Sequence, residues 1–156
     1  MVRLSQYFVL EEFQHNDEIP AECVPAFVTL CQEILDPVRV YFADPLKITS
    51  GYRSPAANAA AHGIPNSEHM ATKDWCAADF YVDTNRFPFD MRAVFDWMRN
   101  NARLPFHQLI LEHGAASSVI HVSWNRLKPG LRSIKEGSTH NATPYIDWPG
   151  AAYEGG

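Results

Sequence analysis

An aspartate within an apolar strand is the feature that most constrains how this chain can fold. Asp79 lies in the run CAADFYV at residues 76–82, and all the remaining side chains of this run are apolar or aromatic. Side chains alternate between the two faces of a strand, so Ala78 and Phe80 share one face and Asp79 lies on the other. Because burying an unpartnered carboxylate costs several kcal/mol, the fold must bring a compensating group to Asp79.

A second strand-like run, SVIHVSW at residues 118–124, carries a histidine at its centre. Alternation places Ile120 and Val122 on one apolar face and His121 on the opposite face. A lone histidine within a strand is often a hydrogen-bonded structural imidazole, and that alternative stays open for His121. Each strand nevertheless has one continuous apolar face, and its carboxylate or imidazole side chain lies on the opposite face. This pattern indicates a polar cleft on the side of the sheet that faces away from the core.

A third polar group lies upstream, in SGYRSPAANAAAHGIPNSEHM at residues 50–70. This segment places Arg53 in a tight turn and then presents Ser67 and His69, separated by one residue. Two imidazoles and one carboxylate can hold a zinc ion and leave one coordination position open. An open position on zinc is where hydrolytic chemistry takes place. The three segments together therefore indicate a metal site of the catalytic kind.

The composition excludes several other classes of function. With 156 residues and 46% hydrophobic content, the chain predicts one domain with a substantial core. The chain has a formal net charge of -5 and lacks the basic stripe that nucleic-acid binding requires. No apolar run has the length of a membrane span, and the N-terminus lacks the apolar region of a secretory signal, so we expect synthesis in the cytoplasm. Three scattered cysteines predict reduced thiols.

Hydrophobic periodicity predicts an α+β fold in which helices pack on a small, mainly antiparallel sheet. The predicted strands span residues 46–49, 76–82, 106–111 and 119–124, and the last two form a hairpin. The predicted helices are a turn at 10–14, a helix at 21–42 that Pro37 kinks or divides, a short helix at 56–61 and an amphipathic helix at 89–101. Residues 126–156 form a tail to which no structure is assigned.

Five motifs, ITSGYRSPAAN, NSEHM, AADF, QLILE and IHVSW, follow one another along the chain. In combination they resemble the zinc D-Ala-D-Ala peptidase family, and more narrowly its phage- and bacterium-encoded branch. The resemblance covers residues 4–125 and implies that residues 1–156 form a single domain with the Hedgehog/DD-peptidase fold. It also implies a Zn²⁺ cofactor with His69, Asp79 and His121 as its ligands.

The resemblance assigns roles to two further residues. Arg53 matches an arginine that steadies the substrate or the negative charge developing on its carbonyl oxygen. Ser67 matches a residue that contacts the peptide. From the residues alone, each has a simpler alternative: Arg53 could be a surface arginine in a turn, and Ser67 could cap a helical turn.

The chain departs from the family pattern SxHxxGxAxD between its first two implied ligands. His69 and Asp79 are ten residues apart, no glycine lies between them, and Asp74 occupies an intermediate position. We interpret the extra length as a loop insertion that leaves Asp79 in register on its strand. Asp74 is then the competing ligand, and its alternative is a solvated acid in a loop.

The general base is a second departure. Several branches of the family carry an acidic residue three positions before the last histidine, where this chain has Ser118. A serine cannot take a proton from water at a useful pKa. Glu112, at the end of QLILE, and the adjacent His113 are the nearest candidates for the base. Of these, Glu112 is the predicted catalytic base, and its alternative is an exposed carboxylate at a strand end.

These inferences predict a zinc metallopeptidase that hydrolyses peptidoglycan stem peptides at bonds involving D-amino acids. D-Ala-D-Ala carboxypeptidase and L-Ala-D-Glu endopeptidase activities both stay open, as does a role as a phage lysis enzyme at the cell wall or in a virion. The alternatives are a catalytically inactive, zinc-stabilised virion or wall-binding protein and a dipeptidase acting on free D-Ala-D-Ala. We expect a monomer.

Overall fold

A mixed sheet of six strands forms the centre of the described structure. The computed structural model describes residues 1–15, 17–84, 90–114, 117–138 and 143–148. The strands are β1 (Leu46–Ser50), β2 (Trp75–Val82), β3 (Gln108–His113), β4 (Ser118–Asn125), β5 (Ser133–Ser138) and β6 (Thr143–Asp147). Their order across the sheet is β1-β2-β4-β3-β5-β6, and neighbouring strands are antiparallel except β3 and β5, which run parallel. The predicted α+β class with a mainly antiparallel sheet is confirmed.

All four predicted strands are present, with ends that differ from the prediction by at most two residues. Strands β3 and β4 form the predicted hairpin, in which His113 pairs with Ser118. Strands β5 and β6 lie in the C-terminal segment, for which the sequence pattern predicts no strand. Within that segment, residues 139–142 and 149–156 lie outside the described part of the chain. The C-terminal segment therefore extends the sheet on the side of β3 and adds its parallel strand pair.

The first helical region is continuous but changes geometry before its proline. A 3-10 turn (Ala21–Cys23) leads into α1 (Val24–Leu30), a π-helical segment (Cys31–Leu35) and then α2 (Asp36–Phe42). Proline has no N–H to donate, and its ring crowds the preceding turn. A widened π turn immediately before Pro37 accommodates both effects. The predicted division of this helix is therefore confirmed as a change of helix type ahead of Pro37.

Three shorter helical elements complete the described fold. A 3-10 turn spans Leu10–Phe13, where a helical turn was predicted. Helix α3 (Pro55–Ala60) begins after Ser54, whose hydroxyl accepts a hydrogen bond from the Ala57 N–H at 3.2 Å. Helix α4 (Met91–Arg99) is capped by the Asp90 carboxylate. The predicted start of α4 at Phe89 lies outside the described residues.

The helices cover one face of the sheet and leave the other for polar groups. Helix α1 contacts β2 and β4, and α4 contacts β3 and β4. The strand side chains that alternate toward these helices are buried in the core, namely Cys76, Ala78, Phe80, Leu109, Leu111, Ile120 and Val122. Asp79 and His121 occupy the alternate positions and face away from that core. None of the helices in the described residues combines the length and apolar character that crossing a bilayer requires.

Candidate metal centre

Three buried side chains converge on the polar face of the sheet. Asp79 Oδ1 lies 3.1 Å from His69 Nε2 and 2.9 Å from His121 Nδ1, and the two imidazole nitrogens are 3.2 Å apart. His69, Asp79 and His121 are 4%, 9% and 7% exposed. The structure therefore brings the three predicted ligands into one compact set, despite the unusual spacing between the first two.

Strand pairing positions two of the three groups. Asp79 on β2 is directly opposite His121 on β4 in the antiparallel register. Side chains of directly paired residues project from the same face and lie close together. The alternation of each strand keeps its apolar positions on the helix side, so this register buries the core and joins the two polar groups in one step. The predicted strand context of Asp79 is confirmed.

A loop delivers the third group, and its backbone is tied in place. The Arg53 N–H donates to the His69 carbonyl at 2.9 Å, which joins the arginine turn to the histidine segment. The His69 N–H in turn donates to the Ser67 hydroxyl at 3.2 Å. Ser67 is itself buried. The Ser67 hydroxyl thus caps the local backbone, which is the alternative role that the sequence suggests. Its contact with a substrate stays a prediction.

Each imidazole is oriented by a hydrogen bond on its far nitrogen. His69 Nδ1 donates to the Gly51 carbonyl at 2.7 Å, and this leaves Nε2 with a lone pair facing Asp79. His121 Nε2 donates to Gln108 Oε1 at 2.8 Å, and this leaves Nδ1 for the same centre. Hydrogen bonds of this kind fix the tautomer and ring orientation of metal-binding histidines. The two rings therefore present different nitrogens to one point.

Close packing requires a glycine at position 51. A Cβ built on Gly51 would lie 2.6 Å from the Phe13 carbonyl oxygen and 2.7 Å from the Phe13 Cα. Backbone atoms cannot move aside as the end of a flexible side chain can. The Tyr52 N–H also donates to that Phe13 carbonyl at 3.0 Å. The contact between these two backbone segments thus holds the Gly51 carbonyl where it meets His69.

The charges of the set stabilise one another. Burial raises the pKa of Asp79, but His69 and His121 outweigh it and hold that pKa well below its usual range. Burial lowers the pKa of His121, and its hydrogen bond with Asp79 raises it above the usual value overall. Arg53 Nη2 lies 3.8 Å from Asp79 Oδ2, so a guanidinium borders the set. Asp79 therefore stays ionised, as a metal ligand must be.

The geometry of the donors fits a zinc-like ion. Ligand atoms on a tetrahedral zinc lie about 3.3 Å apart, because each Zn–N or Zn–O bond is about 2.0–2.1 Å long. The three donor atoms, His69 Nε2, Asp79 Oδ1 and His121 Nδ1, lie 2.9–3.2 Å apart, which is close to that spacing. Nitrogen donors and one carboxylate oxygen are also the ligands that zinc accepts in proteins. Three protein ligands leave one tetrahedral position for water or substrate.

Asp74, the competing ligand, has a different partner. Its Oδ1 accepts a hydrogen bond from Arg126 Nε at 2.8 Å and lies 2.7 Å from Arg126 Nη2 in an ion pair. The Arg126 N–H also donates to the Asp74 carbonyl at 2.7 Å, and the Asp74 N–H donates to the Thr72 hydroxyl. Asp74 is thus held in the turn before β2 by the residue that follows β4. These contacts favour the interpretation of a loop insertion with Asp79 in the ligand set.

Glu112 lies beside the centre, on the same face of the sheet. Its neighbour two positions back on β3, Ile110, pairs directly with His121. Burial raises the pKa of Glu112 and the charge of Asp79 adds to that increase, while nearby positive charges oppose it. Ser118 projects to the other face, with Ile120, and its hydroxyl lies 2.8 Å from His113 Nδ1. Of the two residues, Glu112 is the one that shares the face of the ligand set, and its role as a base stays a prediction.

Sequence reasoning missed a buried network next to the ligands. Glu68 is 6% exposed and accepts hydrogen bonds from His107 Nδ1 at 2.7 Å, Ser123 Oγ at 2.8 Å and Asn125 Nδ2. Burial raises the pKa of Glu68, but the hydrogen bond and charge of His107 outweigh it and the net pKa is lowered. The alternation of β4 carried a signal, because Ser123 and Asn125 share the face of His121.

The fold brings together a buried His–Asp–His set whose donor atoms could hold a metal ion. The sequence profile of Peptidase M15 matches residues 6–123, and the chain belongs to this family of metal-dependent peptidases. The predicted relationship with the zinc D-Ala-D-Ala peptidase family is thereby confirmed. A search of curated proteins found no match for the chain.

Proposed function

We propose that the protein is a zinc-dependent peptidase that hydrolyses peptidoglycan stem peptides at bonds involving D-amino acids. The observation that carries the proposal is the convergence of His69 Nε2, Asp79 Oδ1 and His121 Nδ1 within hydrogen-bonding distance of one another. Membership of the Peptidase M15 family supports peptide hydrolysis as the reaction. We further propose a single-domain monomer that acts at the cell wall, with phage lysis as its setting.

The three ligands and two flanking residues divide the work of hydrolysis. A bound zinc ion supplies Lewis acidity toward a carbonyl oxygen and makes water more acidic. The Arg53 guanidinium, next to Asp79, is placed to hold negative charge that develops on the substrate oxygen. Glu112 accepts the proton of the attacking water at its carboxylate and returns it to the leaving amine. A raised pKa suits that role because the carboxylate is a stronger base.

The second candidate is a protein that keeps the metal site for structure and has no catalytic activity. The inactive alternative is favoured by the presence of Ser118 at the usual acidic position. Its hydroxyl forms a hydrogen bond with His113 on the helix side of the sheet. In this case the zinc would stabilise the contact between the His69 loop and the strands. A free D-Ala-D-Ala dipeptidase is a narrower version of the enzyme hypothesis and differs only in substrate size.

One experiment separates these functions. Zinc-loaded protein is incubated with purified sacculi, with soluble muropeptides and with D-Ala-D-Ala dipeptide, and products are identified by mass spectrometry. Cleavage of sacculi or muropeptides, lost in Glu112→Gln, would support the peptidase, and the mass of each product would identify the bond. Cleavage of the dipeptide alone would assign a dipeptidase. Folded, zinc-loaded protein that cleaves no substrate of several wall chemotypes would overturn the proposal.

A further inference from the structure

We infer that Glu68 is a positioning residue whose buried hydrogen bonds anchor the segment that carries His69 and extend to the ring of His121. This set, the Glu68 network, consists of Glu68, His107, Gln108, Ser123 and Asn125. The inference rests on the proposed metal site and assigns to it a residue with no contact to the metal position. It follows from three observations, which concern the anchor of His69, the link to His121 and the cost of replacing the carboxylate.

The first observation is that Glu68 anchors the segment that carries His69. The two residues are adjacent, so the position of the Glu68 carboxylate fixes the backbone from which the imidazole projects. That carboxylate is buried against β4, where Ser123 and Asn125 donate to it. His107, immediately before β3, donates to the same group. The histidine loop is thus fastened by its carboxylate to the strand that provides the third ligand.

The second observation is that the network continues to His121. Ser123 Oγ donates to Glu68 Oε1 at 2.8 Å and accepts a hydrogen bond from the Gln108 N–H at 3.0 Å. The side chain of Gln108 then accepts the hydrogen bond from His121 Nε2 that orients this ring. The Ser123 carbonyl also accepts from the His107 N–H at 2.8 Å. One contiguous set of hydrogen bonds therefore connects Glu68 to the His121 ring, and the backbone connects it to His69.

The third observation concerns the chemistry of the carboxylate. An ionised carboxylate only accepts hydrogen bonds, and here it meets donors from three side chains. Glutamine has nearly the same shape but presents an NH₂ group to one of those donors. A buried donor that faces another donor is unsatisfied, and the neighbours must move to relieve it. The substitution Glu68→Gln should therefore displace the network with little change in volume.

The fold contains a matched control on the opposite face of the sheet. Glu136 on β5 also pairs with a histidine at 2.7 Å, in this case His113 Nε2. Arg92 and Trp148 are its other hydrogen-bond partners. Glu136→Gln thus breaks the same kind of histidine–carboxylate pair without touching the metal centre. Comparison of Glu136→Gln with Glu68→Gln therefore distinguishes a general loss of stability from a loss of ligand positioning.

The test measures metal binding by wild type, Glu68→Gln and Glu136→Gln. Zn²⁺ affinity is measured by competition with a chelating dye, the Co²⁺ absorption spectrum reports ligand geometry, and thermal unfolding of the metal-free proteins reports stability. We expect Glu68→Gln to weaken Zn²⁺ binding by about 10–100-fold, as loss of an outer hydrogen-bond partner does, and to alter the Co²⁺ spectrum. Glu136→Gln should lower the melting temperature and leave the affinity and the spectrum unchanged.

Wild-type affinity and spectrum in folded Glu68→Gln would overturn the inference alone. A wild-type protein that binds neither Zn²⁺ nor Co²⁺ would overturn the proposed function as well, so the two failures are distinguishable. If Glu68→Gln does not fold, Ser123→Ala is tested in its place. This variant removes the hydrogen bonds that connect Glu68 to Gln108, whereas His107 and Asn125 still donate to the Glu68 carboxylate. Weaker Zn²⁺ binding in Ser123→Ala would support the network, and unchanged binding would overturn it.

Discussion

Asp79 and His121 are directly paired across β2 and β4, and their nearest polar atoms lie 2.9 Å apart. This pairing makes the metal centre a consequence of strand register. A slip of one residue would turn Asp79 toward the core and Ala78 toward the site. Burial of the apolar faces of both strands opposes that slip. The same forces that assemble the core therefore assemble two thirds of the ligand set.

The first prediction is that Asp79→Ala loses metal binding while Asp74→Ala retains it. Asp79 provides a ligand atom to the centre, whereas Asp74 pairs with the mostly exposed Arg126. We expect Asp79→Ala to lower Zn²⁺ affinity by more than about 100-fold, beyond the range for outer partners. Asp74→Ala should keep one zinc per chain and lose less than about 1 kcal/mol of stability.

Elemental analysis of both purified variants, with dye competition for affinity, measures these effects. Circular dichroism of the metal-free proteins is the control for folding. Retention of zinc in folded Asp79→Ala together with its loss in Asp74→Ala would place the insertion between His69 and Asp79 in a different register.

Local pattern was enough to predict four of the six described strands and the face of the sheet on which Asp79 and His121 lie. Alternation identified the polar faces of β2 and β4, and it assigned Asp79 in spite of its unusual distance from His69. Glu68 could not be assigned in this way, because its partners lie on β4 and just before β3, far away in sequence. Strand β5 has the same difficulty, since its parallel pairing with β3 depends on contacts between distant segments. Prediction failed where partners were non-local.

The second prediction is that Glu112→Gln abolishes hydrolysis and leaves the metal in place. The amide cannot accept the proton of water, whereas it preserves the size of a side chain that lies beside the ligands. Loss of a general base lowers kcat by about 10²–10⁴-fold. Zinc content and melting temperature should remain close to those of wild type. The reaction is followed with the substrate cleaved most rapidly by the wild-type protein.

Ser118→Ala is the matched comparison for Glu112→Gln. It removes the hydroxyl that stands at the family's usual acidic position and bonds with His113. We expect its kcat to remain within a few-fold of wild type. Full activity in Glu112→Gln, with zinc bound, would exclude Glu112 as the base.

The third prediction concerns the pH dependence of the Glu136 contacts. The hydrogen bond with Arg92 is the main cause of a lowered pKa for Glu136, and His113 adds to it. A carboxyl whose folded pKa is below its unfolded value of about 4.5 stabilises the fold above that pH. This stabilisation is lost as the pH falls through the lower, folded value. Glu136→Gln should therefore be less stable than wild type at pH 7, and the difference should shrink below about pH 4.5.

Urea unfolding of both proteins at several values between pH 7 and pH 3 measures the difference in free energy. Using the difference between variant and wild type cancels the titration of the shared groups that do not interact with Glu136. A gap that stays constant over this range, or that widens in acid, would show that the Glu136 charge does not stabilise the fold through these contacts.

The last prediction is that Gly51→Ala damages the metal centre through the backbone. The new Cβ would meet the Phe13 backbone at 2.6–2.7 Å, so the two segments must separate. Forcing an extra carbon into a packed site costs about 1–3 kcal/mol. The Gly51 carbonyl accepts the hydrogen bond that orients His69, and its displacement should also weaken Zn²⁺ binding by about 10-fold.

Chemical unfolding of the metal-free protein and dye competition measure the two effects separately. Gly63→Ala is the control, because its Cβ would meet the Asn58 side chain instead of the backbone segment that holds the Gly51 carbonyl. Loss of stability in both variants with loss of affinity only in Gly51→Ala is the expected result. Equal affinity in the two variants would mean that His69 keeps its orientation without the Gly51 carbonyl.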